Sequence, residues 1–191
     1  MSIFKKHYGF WTKENKKSLI LGLILILLAI IIQIGLGKRS MYQSISANPA
    51  KDLLLDNLPL INTQFIIIQG VILFWIFVWI FIILNPKYLL FSLKATALFT
   101  IIRAFFINLT PLGAYPHYIP FEPKYIGFHF YNTLTFEGNF FFSGHTGFPV
   151  LLAHSHYSID VFASPFITYG IFKIATRLFK NDYLILKQNK L

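Results

Sequence analysis

Two stretches of at least 20 residues in this chain carry neither charge nor histidine. One is the 20 residues from Ser18 to Gly37, between Lys17 and Lys38; the other is the 30 residues from Asn57 to Pro86, between Asp56 and Lys87. In hydrocarbon every backbone polar group must be satisfied within the segment, and a helix needs roughly 20 apolar residues to cross a bilayer. Both stretches are long enough. The first exceeds the usual 7–15-residue apolar core of a signal peptide and is followed by no clear small-residue cleavage site, so it reads as an uncleaved helix. Only 13% of the residues are charged, against about 25% in soluble domains. With no cysteine, disulfides are excluded and the redox compartment is open.

Four hydrophobic segments emerge, at about 18–37, 60–84, 88–110 and 157–179. The second closes on the Asn85-Pro86 turn signal. The expected fold is therefore an all-α polytopic membrane helix bundle with four transmembrane helices. Residues 1–17 form a basic amino-terminal segment, 18–179 one membrane domain, and 180–191 a basic carboxy-terminal tail. The net charge of +10 resides largely in Lys5, Lys6, Lys13, Lys16 and Lys17 at one end, and in Lys173, Arg177, Lys180, Lys187 and Lys190 at the other. Under the positive-inside rule both termini are cytoplasmic. The charge then sets orientation and touches anionic lipid rather than nucleic acid. Residues 38–58 and 111–155 fall outside, and the Asn85–Lys87 turn inside. Lys94 lies close enough to the inner end of its segment to snorkel to the interface. Arg103 does not, being about 10 Å below the outer end at 1.5 Å per residue.

Chemistry-bearing residues gather in three elements on the outer face. They are "RAFFINLTPLG" with Arg103 and Thr110, "FSGHTG" with Ser143, Gly144, His145 and Thr146, and "HYSIDV" with His156 and Asp160. Residues four apart share a helix face, so Asp160 can accept a proton from one nitrogen of His156 and leave the other as a nucleophile. An arginine fork fits phosphate oxygens, and a Ser-Gly backbone approaches an anion closely. A second histidine can protonate the leaving oxygen. Such a set suits attack on phosphorus without a metal or cofactor. Each residue also has a plainer reading. Arg103 can be a structural partner to a carboxylate, His145 or His156 an interfacial histidine, and Asp160 a charge complementing a helix start. A metal-binding outer loop of His145, His154 and His156 is a further alternative, although no zinc-ligand spacing matches. His7, His117 and His129 read as interface and loop histidines.

These three motifs together resemble the sphingomyelin-synthase-like branch of the type-2 phosphatidate phosphatase superfamily, over roughly residues 50–178. "DLLLDNLPLI" at 52–61 adds a weaker likeness. The resemblance implies a six-helix membrane enzyme acting on a phospholipid or lipid phosphate at the outer or lumenal face. It implies His156 as the nucleophile that becomes phosphohistidine, Asp160 as its orienting carboxylate and His145 as general acid, with Arg103, Ser143, Gly144 and Thr110 about the phosphate. Family members carry two crossings between the histidine motifs. Here only residues 146–155 separate His145 from His156, and each crossing needs about 20. A shortened, non-catalytic relative is therefore the rival expectation. Gly147 and Pro149 predict a break in the backbone between the two histidines.

Overall fold

The computed structural model describes residues 3–116, 118–119, 122–123 and 148–187. Among these residues there is no strand, and seven helices are found: α1 (Ile3–Phe10), α2 (Lys13–Ser46), α3 (Gln64–Leu84), α4 (Lys87–Leu109), α5 (Phe148–Leu152), α6 (Ser158–Leu178) and α7 (Lys180–Lys187). Three of them, α2, α3 and α4, are long and apolar enough to cross a membrane, as in an integral membrane protein. The 21-residue α6 matches α3 in length but not in apolar content, because it carries Asp160, Lys173 and Arg177 and encloses Pro165.

Helix limits follow local chemistry. The expected segments at 60–84, 88–110 and 157–179 appear within a few residues of their predicted ends. The first does not stop at Gly37 but continues to Ser46. Nothing between Gly37 and Ser46 breaks a helix, and Lys38 and Arg39 forbid only burial in hydrocarbon. Termination comes with Ala47-Asn48-Pro49, where proline disfavours helical geometry in the residue before it.

The chain forms two compact units. One comprises residues 1–33, 75–102 and 168–191. Its apolar centre includes Ala29, Leu90, Phe91, Ile171 and Ala175, and the rings of Phe91, Phe172 and Tyr183 pack pairwise at 5.3–6.1 Å. Beside that cluster lies a buried ionic knot. Lys94 Nζ stands 2.5 Å from Asp182 Oδ2 and donates to Ser18 Oγ at 2.8 Å, while Ser18 Oγ donates to Asp182 Oδ1 at 2.6 Å. Lys94 is only 4% exposed, so it does not snorkel as its sequence position implied. Asp182, 88 residues away in α7, neutralises it. At the edge of the same unit a His7 ring nitrogen bonds the carbonyl of Ile83, one of the last-turn acceptors that α3 leaves unsatisfied.

The second unit comprises residues 34–74 and 103–167. Its core is Leu55, Ile67, Ile68, Tyr115, Val150, Leu151, Ala153, Tyr157 and Val161. Two polar anchors set how the chain enters α6. Asp52 accepts from the Ser158 backbone N–H at 2.6 Å and its hydroxyl at 2.9 Å, and also from the N–H groups of Leu54 and Leu55. One carboxylate thus caps its own turn and the amino end of a helix 106 residues away. Tyr157 donates its phenolic hydrogen to the Gly113 carbonyl at 2.8 Å and accepts from the Ala50 N–H at 3.0 Å. Only glycine serves at 113, because a Cβ there would lie 2.2 Å from the Ala47 carbonyl oxygen.

Two outcomes follow. Removing one partner of a buried ion pair leaves the other charge uncompensated, so Lys94→Met and Asp182→Leu are each expected to cost about 3–5 kcal/mol, and the double variant less than either. Unfolding in detergent micelles checks this, and single-variant losses below about 1 kcal/mol would contradict it. For Asp52, burial pushes the carboxyl upward, but the hydrogen bonds from Ser158, Leu55 and Leu54 outweigh it and hold the group below the usual 3.8. Its stabilising effect is therefore complete above pH 3.8 and fades as pH falls through the lower folded value. Asp52→Ala should destabilise by about 1–2 kcal/mol at neutral pH. Asp52→Asn should remove part of the acid-induced loss below about pH 4.

Candidate functional site

The short helix α5 delivers the chain to the site. Thr63 Oγ1 donates to the Pro149 carbonyl at 2.5 Å, and Ile61 N–H to the Leu152 carbonyl at 2.8 Å, fastening α5 to the segment that leads into α3. Pro149 does not break the chain as the sequence predicted. It sits in the first turn of α5, where a helix does not use its N–H. The break falls after Leu152 instead; Gly147 lies outside the described residues. His154 N–H bonds Leu151 O at 2.9 Å and Ser155 N–H bonds Val150 O at 3.2 Å, the two hydrogen bonds of a Schellman helix end. His154 occupies the left-handed position of that motif with φ of 51°, where glycine is usual. A non-glycine residue there costs about 1 kcal/mol or more.

His154 is also 5% exposed, and among the described residues neither ring nitrogen has a hydrogen-bond partner. Leaving a buried polar group unbonded costs about 1–3 kcal/mol. Its ring meets that of Tyr115 edge-on at 5.3 Å, and Tyr115 in turn meets Tyr157 at 6.0 Å. Tyr115 donates its hydroxyl hydrogen to Asp56, and that bond pushes its phenol up to about 12. Tyr115 is thus a neutral donor throughout the physiological range.

Two residues beyond His154, the expected pair forms. His156 Nδ1 lies 2.7 Å from Asp160 Oδ2, close but not aligned as a hydrogen bond. Asp160 is 1% exposed in the first turn of α6, and Ser164 Oγ donates to its carbonyl at 2.7 Å. With Nδ1 against the carboxylate, Nε2 is the ring nitrogen left for chemistry. Arg103 belongs to the same compact unit, in the carboxy-terminal half of α4, and is 7% exposed. Thr110 follows α4, donates to the Phe106 carbonyl at 3.1 Å, and lines an open cavity of about 330 Å³ with Lys51, Asp52, Leu53, Tyr157 and Ser158. Ser143, Gly144 and His145 lie outside the described residues. Among the described residues no group of three or more His, Cys, Asp or Glu is placed to hold a metal ion.

Asp52, Asp56, Tyr115 and Gly113 were not read from the sequence as parts of this region. Their signal was faint: the two aspartates of "DLLLDN" are four apart, and one helical turn puts both on one face. That spacing carries no hint of Ser158 or Tyr115, which lie in distant segments.

As a constellation, a carboxylate-oriented imidazole at a helix start is equipped for nucleophilic or acid–base chemistry, and a buried arginine in the same unit brings an anion-fitting charge. Searches of protein-family models, of curated proteins and of solved structures found no match to this chain.

Proposed function

We propose that this protein is an integral-membrane lipid phosphatase or lipid head-group phosphotransferase of the kind its motifs resemble, acting through a phosphohistidine. The observation that carries this reading is the buried His156–Asp160 contact of 2.7 Å at the start of α6. A buried carboxylate beside an imidazole in a largely apolar helix is costly to maintain and is characteristic of functional sites in membrane proteins. In this reading α6 is the fourth crossing and both termini are cytoplasmic, so the site faces the periplasm, the cell exterior or an organelle lumen.

The reaction proceeds in two steps. His156 Nε2 attacks the substrate phosphorus, an N–P bond forms, and the bond from phosphorus to the leaving oxygen breaks. That oxygen takes a proton from His145. Water or an alcohol then attacks the phosphohistidine, returns a proton to His145, and the N–P bond breaks. Asp160 stabilises the charge that develops on the imidazole, and Arg103, Ser143 and Gly144 hold the phosphate oxygens.

His156→Ala is expected to abolish turnover in mixed micelles presenting a panel of phospholipids and lipid phosphates. Asp160→Asn should retain the fold and lower the rate by about 10²–10⁴-fold. Activity within a few-fold of the unmodified protein in His156→Ala, or none in the unmodified protein, would overturn the assignment. Because Arg103, the Ser143-Gly144 backbone and His145 already neutralise the phosphate, turnover should be unchanged by a chelator. Loss in chelator with recovery on adding zinc would favour the histidine-cluster alternative.

A further inference from the structure

His154 is the residue that the proposed chemistry leaves unused and that local structure least explains. Its backbone occupies the left-handed end of a Schellman motif, a position that glycine or asparagine fills with less strain. Its imidazole is buried, and both nitrogens lack a partner among the described residues. A residue retained only to end α5 would carry neither burden. Two residues away, His156 faces Asp160, and consecutive Cα atoms about 3.8 Å apart keep the two histidines within about 8 Å at the backbone.

We propose that His154 is a ligand-binding imidazole, one of whose unpartnered nitrogens holds an oxygen of the phosphate group on which His156 acts. The choice of phosphate rests on the phosphoryl-transfer reading of His156. The need for a polar ligand rests on His154 alone. A neutral imidazole offers one donor and one acceptor, and a singly protonated phosphate offers acceptor oxygens and a P–OH donor. Either nitrogen can therefore pair with the phosphate, the donor with an acceptor oxygen or the acceptor with the P–OH. Buried donors and acceptors discriminate strongly in favour of a ligand that pairs them. His154 then serves as a contact to the phosphate, distinct from the nucleophile and from the general acid assigned to His145.

The test uses the full chain in detergent micelles. Thermal unfolding is followed against increasing inorganic phosphate and, separately, orthovanadate, with chloride and sulfate at matched ionic strength as controls. Phosphate should raise the midpoint of the unmodified protein in a saturable manner. His154→Asn and His154→Gly, both suited to the left-handed backbone, should melt higher than the unmodified protein without ligand, yet bind phosphate at least tenfold more weakly. An unchanged affinity in the two His154 variants would overturn the proposal and leave His154 a helix-end residue with a buried water. So would a midpoint in the unmodified protein that responds no more to phosphate than to chloride. Phosphate binding that depends on His154 in a chain forming no phosphohistidine would refute the role of His156 and leave this inference standing. Phosphohistidine formation with undiminished phosphate affinity in the His154 variants would do the reverse.

Discussion

The amino end of α6 is the joint on which the polar half of this protein depends. Asp52 accepts the Ser158 N–H and hydroxyl, and Tyr157 is tied at its phenol to Gly113 and Ala50. Those bonds fix where the helix begins, and its first turn carries Asp160 beneath His156. A helix starting one residue later would rotate Asp160 by about 100° at 3.6 residues per turn, and the contact would be lost. The caps therefore act on the pair as well as on stability. Gly113 matters for the same reason: any side chain there would drive Ala47 away and take the Tyr157 hydroxyl with it.

Charge placement follows one rule in both units. Groups that a membrane protein cannot leave bare are given partners from far along the chain: Asp182 for Lys94, and Ser158 for Asp52. Such pairs confer little net stability over apolar equivalents, but breaking either one exposes an uncompensated group. His154 departs from that rule. It is buried, strained in its backbone and, among the described residues, unbonded at both nitrogens, and strain of this kind gathers at sites that bind or react.

The legible part of the sequence was whatever depends on neighbours. An uncharged run located α3 closely and hydrophobicity alone located α4, because crossing a bilayer is a demand on one continuous segment. The spacing of His156 and Asp160 foretold their contact, although His156 precedes the first residue of α6 by two positions and no full helical turn joins them. Lys94 was misread because its partner lies in a short helix beyond the last hydrophobic segment, and a single charge carries no record of its counterion. Pro149 was misread for a different reason. Proline ends a helix from within but begins one equally well, and only the hydrogen bonds of Thr63 and Ile61 to Pro149 and Leu152 decide between the two. The remaining expected site residues, Ser143, Gly144 and His145, stand on the motif resemblance.

The account turns on a covalent bond between phosphorus and His156. Purified protein would be mixed with micelles containing phosphatidic acid labelled with ³²P, quenched within the first turnovers and digested, and the labelled peptide mapped. The expected product is an acid-labile, base-stable phosphate on the peptide that contains His156, absent when that residue is alanine. Label that survives acid, label on a serine or threonine peptide, or turnover with no labelled peptide at any quench time would contradict the account.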